Sequence, residues 1–175
     1  GISILMFATS AGYTFNPVEV KADDEKPAMN VEYHSKQDIV DYYNKHPFDG
    51  DMDTKYKEEP DVFAPYNLGS LTQKTIDNAQ NMVNVVRYVA GLSGMTVEDA
   101  SLSKSAQAAA LANAANGELS HYPRRPRDMS DNMYNLAQEG ASSSNIAMTS
   151  GRMTLPMSIR MYLSDADSGN RSRVG

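Results

Sequence analysis

Apolar residues along this chain recur in bursts at three- and four-residue spacing, and between the bursts the pattern lapses. Ser35 precedes the first burst, a short helix to about Lys45 with Ile39, Tyr42 and Tyr43 on its apolar face. His46-Pro47 closes it, because the residue before a proline is pushed out of the helical region. From Phe48 to Pro65 the stretch is rich in Asp, Glu and Pro and reads as an extended connection. The strongest helix comes next. Leu71 and Ile76 flank the N-cap Thr72 as a hydrophobic staple, and Ile76, Ala79, Val83, Val86 and Ala90 recur at helical steps until Gly91 and Gly94. Thr96 is expected to cap a second helix running to Asn116, in which Ala106, Ala109, Ala110, Ala112, Ala114 and Ala115 keep the surface low so that another element can approach closely. Gly117 is the natural residue just past its end. A third helix is expected from Asp131 to Glu139, capped by Ser130, with Met133, Leu136 and Ala137 inward and Gly140 as terminator. A fourth begins after the cap Thr154, with Pro156 in its first turn and Leu155, Ile159, Tyr162 and Leu163 on one face. The strand-like pieces are short, residues 62–66 and 145–149, and there is no internal repeat.

Composition narrows the picture. With 175 residues and 41% hydrophobic content, the chain suits one main core. A net charge of −6 argues against a nucleic-acid partner, which would demand clustered Lys and Arg. The acidity is uneven: residues 23–61 hold twelve Asp/Glu against five Lys, whereas residues 104–175 hold six Asp/Glu against eight Lys/Arg. The absence of cysteine excludes disulfides, thiolate metal sites and a cysteine nucleophile. The opening GISILMFATSAG is apolar but too short to span a bilayer. Val20-Lys21-Ala22 before Asp23-Asp24-Glu25 has the spacing of a signal-peptidase site, so residues 1–22 are expected to be the remnant of a secretory signal clipped at its start. A buried N-terminal strand or helix is the other reading of that run.

Few residues carry candidate chemistry. His121 stands just beyond the Ala-rich helix, where a histidine can be a metal ligand, a proton-transfer group or a polar turn residue. Ser142, Ser143 and Ser144 with His121 and an Asp have the composition of a hydrolase triad, but a triad is defined by geometry and an oxyanion hole rather than by order. Asp165 to Asn170 lacks the glycine position of a calcium loop and reads as a helix-ending turn, to whose acids Arg171 and Arg173 can pair. Arg124, Arg125 and Arg127 form a small basic cluster, read as a solvated loop. Asn84 and Arg87 share a helix face and are assigned to the fold. Met82, Met133, Met157 and Met161 fall at helical core positions.

Several of these pieces together resemble one family. Asn84-Val85-Val86-Arg87, the Ala-rich helix ending in Leu119-Ser120-His121, SSSNIA at 142–147 and Arg173-Val174-Gly175 look like the CAP superfamily of cysteine-rich secretory, antigen-5 and pathogenesis-related proteins. HPF at 46–48, EEP at 58–60, APYNLGSL at 64–71, VRYVAGL at 86–92, AANGELSHYP at 114–123 and SDADSGN at 164–170 are similar to secreted CAP-domain proteins of Firmicutes. The resemblance implies an α+β fold, a three-layer α-β-α sandwich with a central cleft that in many members holds a divalent metal on two histidines and two acids. Carried over position by position, the first histidine is His121, the first acid falls on Ser144 before Asn145 and is lost, and the second acid is Asp165 after Tyr162. The second histidine would come after a glycine matching Gly175.

The expected organisation is therefore a signal remnant at 1–22, an acidic extension with one short helix at 23–65, and a C-terminally truncated CAP-like domain at 66–175. Much of the family's sheet would lie past Gly175, so a mainly helical structure with few strands is expected, with apolar surface exposed where the sheet belongs. The expected role is extracellular binding through a cleft formed by His121, Ser144, Asn145 and Asp165, with a cell-wall or host-surface ligand as partner. No catalysis is assigned. The alternatives are a metal-dependent or serine-type hydrolase around His121, and a structural module of a larger surface protein. As zinc ligands, His121 and Asp165 make only a weak, incomplete site.

Overall fold

Helix α1 (Lys36–Lys45) starts on a reciprocal cap. The Asp38 amide donates to the Ser35 hydroxyl at 3.2 Å, and the Ser35 amide donates back to the Asp38 carboxylate at 2.9 Å. The computed structural model describes residues 3–4, 9–10, 31–92 and 94–164. Before α1 lie β1 (Ser3–Ile4) and β2 (Thr9–Ser10). No residue of α1 is buried. A stack of rings holds it: Tyr42 lies on Tyr88 with centroids 4.0 Å apart, and His34 covers the opposite face of Tyr88 at 3.7 Å.

The acidic connection is tied to the helical body at several points, among them Asp49 to Asn78 and Lys55 to Thr75 of the helix that follows it. Its strand β3 (Tyr56–Glu58) pairs antiparallel with β4 (Ser70–Leu71), and the buried Thr54 hydroxyl accepts the Leu155 amide at 3.0 Å. Residues 62–66 are not a strand. They form turns around the cis Ala64–Pro65 bond, closed by the Asp61–Asn67 bridge.

Helix α2 (Gln73–Val89) begins at Thr72 as expected, but its buried residues are Thr75, Ala79, Met82, Asn84 and Val85. The predicted stripe is thus only partly inward: Ala79 is buried, Val83 packs at the edge of the core, and Val86 is half-buried. Asn84 explains the rotation, because it is drawn inward to the turn ahead of β5 (Val97–Glu98): its side-chain amide donates to the Thr96 carbonyl, and its oxygen accepts the Thr96 amide at 2.7 Å and hydroxyl at 2.8 Å. Thr96, being buried in this bond set, does not cap the next helix. Asp99 does, with its carboxylate accepting the Ser101 and Leu102 amides.

Helix α3 (Ala100–Asn116) ends in the left-handed Gly117, as expected (φ 64°). It is buried without a break from Ser105 to Asn113 except at Gln107, just inside that run, which makes it the central helix. Helix α4 (Asp131–Ser143) runs antiparallel to it, with Ala137 against Ala108, Leu111 and Ala112. Gly140, expected to terminate α4, sits inside it. A methyl group there would come within 2.0 Å of the Ser105 carbonyl oxygen, so glycine is required by the close approach of the two helices.

After β6 (Met148–Thr149), helix α5 (Leu155–Ser164) packs Leu155 and Ile159 on Ala79 and Met82 of α2, with Met153 between them. Met133 and Met157 pack at the edges of these cores, whereas Met161 is 36% exposed and fills none. The described strands form three two-stranded antiparallel ladders, β1–β6, β2–β5 and β3–β4. The fold is α+β and mostly helical, as expected, with no larger sheet among the described residues.

Candidate functional site

His121 comes after α3 on a loop that the protein braces heavily. The wholly buried Asn113, in the last turns of α3, donates to the Ser120 carbonyl at 3.1 Å and accepts the Ser120 amide at 2.8 Å. The Asn116 side chain donates to the Arg124 carbonyl at 2.7 Å, and the Tyr134 hydroxyl of α4 donates to the Pro123 carbonyl at 3.0 Å. Asn113 is a bracing position that pattern reading passes over. Its signal is an amide inside a run of alanines, where only a specific partner offsets the cost of burying it.

The loop delivers the imidazole to the C-terminal end of α4. Nδ1 of His121 lies 2.6 Å from the Ala141 carbonyl, one of the helix-end carbonyls with no partner in the helix itself. A carbonyl only accepts, so Nδ1 carries a proton and donates it here, which leaves Nε2 as the ring nitrogen turned to other partners. That is the atom with which a histidine ligates or accepts a hydrogen bond. The residue is exposed, and beside it Tyr122 is 83% exposed and Leu119 40% exposed.

Ser144 caps the C-terminus of α4 in extended conformation, three residues beyond the carbonyl that holds the ring, and the exposed Asn145 comes next. The structure thus brings His121 to the segment carrying Ser144 and Asn145. Asp165 lies outside the described residues. The hydroxyls of Ser142 and Ser143 both donate to the Glu139 carbonyl, at 3.1 and 2.7 Å, and no hydrogen bond joins a described serine of this run to the imidazole. Among the described residues there is no group of three or more His, Asp or Glu side chains placed to hold a metal.

The basic loop is neutralised locally. Arg124 pairs with Glu118, Arg125 with Asp131 and Arg127 with Asp128. Arg125 also donates to the Met129 carbonyl. A cavity of about 300 Å³, between Leu68, Leu71, Ile76, Ser103, Lys104 and Gln107, shares no lining residue with the His121 corner. The cavity offers chiefly apolar wall. No described helix is long and apolar enough to cross a membrane. Comparison of the chain with protein-family models, with curated proteins and with solved structures returns no match.

Proposed function

We propose that this chain is a CAP-type domain of a secreted bacterial protein, its residues 1–22 a leader, which binds an extracellular or cell-surface ligand through the His121 corner. One observation carries the reading: His121, held through Nδ1 and open at Nε2, stands beside the exposed Tyr122 on a loop braced by Asn113, Asn116 and Tyr134. An imidazole fixed in advance loses little entropy on binding, and an exposed ring beside it offers contact area, which is what a recognition surface requires. A hydrolase built on the same imidazole has less support, because Ser142 and Ser143 are turned to the α4 backbone. Together, His121 and Asp165 supply a divalent ion with two ligands, enough for weak binding only.

Purified bacterial cell walls and host-surface glycans provide the test, by co-sedimentation and by glycan array. His121→Ala and Tyr122→Ala should each weaken binding about tenfold or more while leaving the circular dichroism spectrum unchanged. Wild-type protein that binds neither material, or variants that bind as wild type does, would overturn the reading. In a parallel zinc titration, equal affinity of wild type and His121→Ala removes His121 as a ligand.

A further inference from the structure

Along the first half of α3, Ala100, Ser103, Lys104 and Gln107 recur at three- and four-residue steps and line the cavity of about 300 Å³. Gln107 is the one residue between Ser105 and Asn113 that is not buried, and the cavity beside it is the reason. Its side-chain amide donates to the Leu68 carbonyl at 2.6 Å, a strut that sets the distance between α3 and the 68–71 segment. That segment is fixed from its other side as well, since β4 pairs with β3 and the Thr72 amide donates to the Lys55 carbonyl at 3.0 Å. Leu68, Leu71 and Ile76 therefore line the cavity half-buried and do not close on α3. An apolar hollow forgoes the contacts that stabilise a core, and a molecule that fills it restores them. At about 300 Å³ the space is at the lower end of ligand pockets, the size of a small metabolite.

Two charged residues line the same space, Glu98 half-buried on β5 and Lys104 exposed on α3. Neither side chain forms an ion pair or a hydrogen bond among the described residues, and they do not pair with each other. On the basic loop, by contrast, each arginine has a carboxylate within reach. One positive and one negative group beside an apolar wall complement a molecule that carries both charges on an apolar body. A ligand with one charge would cover the opposite group without pairing it, at a cost in desolvation.

We propose that this cavity binds a small zwitterion with an apolar side chain, an apolar α-amino acid either free or in a dipeptide. The side chain lies against Leu68, Leu71 and Ile76, the carboxylate meets Lys104 and the ammonium meets Glu98. Burial of the side chain supplies affinity, and the two charges select against apolar molecules that carry one charge or none. The site shares no lining residue with the His121 corner and does not depend on the binding role proposed there.

The test is isothermal titration calorimetry of the whole chain with L-leucine and with leucyl-leucine. At least one should bind saturably with a Kd below about 1 mM. Tighter binding of leucine identifies a free amino acid as the ligand, and tighter binding of the dipeptide identifies a peptide. The compounds 4-methylpentanoate and 3-methylbutylamine, which keep the leucine side chain but each lack one charge, should bind about tenfold or more weakly. Lys104→Met and Glu98→Gln, both outside the packed cores, should each weaken binding of the zwitterion about tenfold. Lys104→Met should leave the amine's binding as it was, and Glu98→Gln that of the carboxylate. Ala100→Trp, at the exposed start of α3, fills the hollow and should abolish binding with an unchanged circular dichroism spectrum. Absence of binding by both zwitterions overturns the proposal, as does a carboxylate or amine that binds as tightly as they do. Wild-type affinity in both the Lys104 and Glu98 variants overturns it too. His121→Ala should bind leucine as wild type does, so a loss there would move the site away from this cavity, and wall and glycan binding on the same proteins reads the His121 corner separately.

Discussion

Where α4 meets α3, the closest approach is made by the smallest residues: Gly140 lies on the Ser105 backbone, and Ala137 and Ala141 meet a row of alanines, with larger side chains such as Leu111 and Met133 to one side. Where α1 meets α2, the contact is nearly all side chain, a run of stacked rings from His34 through Tyr88 to Tyr42, with Tyr42 in turn beside His46 at 4.6 Å. The first joint brings backbones together and buries one side of α3. The second attaches a helix that buries nothing of its own. Close packing tolerates no added atom, whereas a ring stack at the surface can part and re-form locally. The difference predicts a global response to damage at one joint and a local response at the other.

Gly140→Ala tests the first joint most severely. The new methyl group would meet backbone atoms of Ser105 and Ala106, which cannot move aside without displacing α3. We expect a loss of about 3 kcal/mol or more of global stability, read from urea denaturation by far-ultraviolet circular dichroism. A loss below about 1 kcal/mol would mean the helices slide apart easily, and the contrast with α1 would fail.

Asn84→Ala comes next. It leaves the Thr96 carbonyl to the Gln80 side-chain amide at 2.8 Å but strips the partner from the buried Thr96 amide and hydroxyl, groups that water cannot reach in place. Leaving them unpaired should cost about 2–3 kcal/mol, measured in the same denaturation series. Because Asn84 lies on α2, one turn before Tyr88, this variant asks whether the ring stack on the same helix opens along with the core. Tyr fluorescence should track the global transition if it does.

These two positions also show how far the sequence can be read. Asn84 is assignable to the fold from its spacing, but the rotation it imposes is invisible, because local pattern makes Thr96 a cap and only tertiary structure shows the two residues bonded. Gly140 carries, by local pattern, its usual meaning of a helix stop. Its actual role depends on a neighbour far back in the sequence, Ser105, that no local pattern identifies. Caps that act within three or four residues, Ser35, Thr72, Ser130 and Thr154, are all legible. At the candidate site, His121 can be picked out as the histidine after a glycine-ended helix. Its partner, the Ala141 carbonyl, and its brace, Asn113, cannot, since a backbone acceptor has no sequence signature.

The α2–α5 core responds to alkali. Burial pushes the Tyr162 hydroxyl up to about 12, against a side-chain hydrogen bond with Ser158 that lowers it. The folded value lies above the unfolded value near 10, so the fold prefers the neutral phenol, and stability falls as pH rises from about 10 to 12. The loss should approach roughly 2 kcal/mol. Tyr162→Phe should flatten that slope without abolishing it, because burial also raises Tyr56. An unchanged slope in denaturation midpoints across this range would place Tyr162 in solvent.

The smallest effect should come from Ser35→Ala at the second joint. It removes the hydroxyl that accepts the Asp38 amide and costs helix α1 about 1 kcal/mol. Acid reaches the same cap by another route. The Ser35 hydroxyl and amide hold the Asp38 carboxyl below its ordinary value, so the cap is complete above the unfolded aspartate value and is lost as pH falls through the lower folded one. Hydrogen exchange at the Asp38 and Ile39 amides reads both perturbations, and in each the protection of α3 amides should stay as it was. If Ser35→Ala lowers protection in α3 by the same factor as in α1, the ring stack transmits α1 opening to the core. The two joints then unfold as one cooperative unit, and the division drawn between packed backbone and stacked rings would be one of geometry without a counterpart in stability.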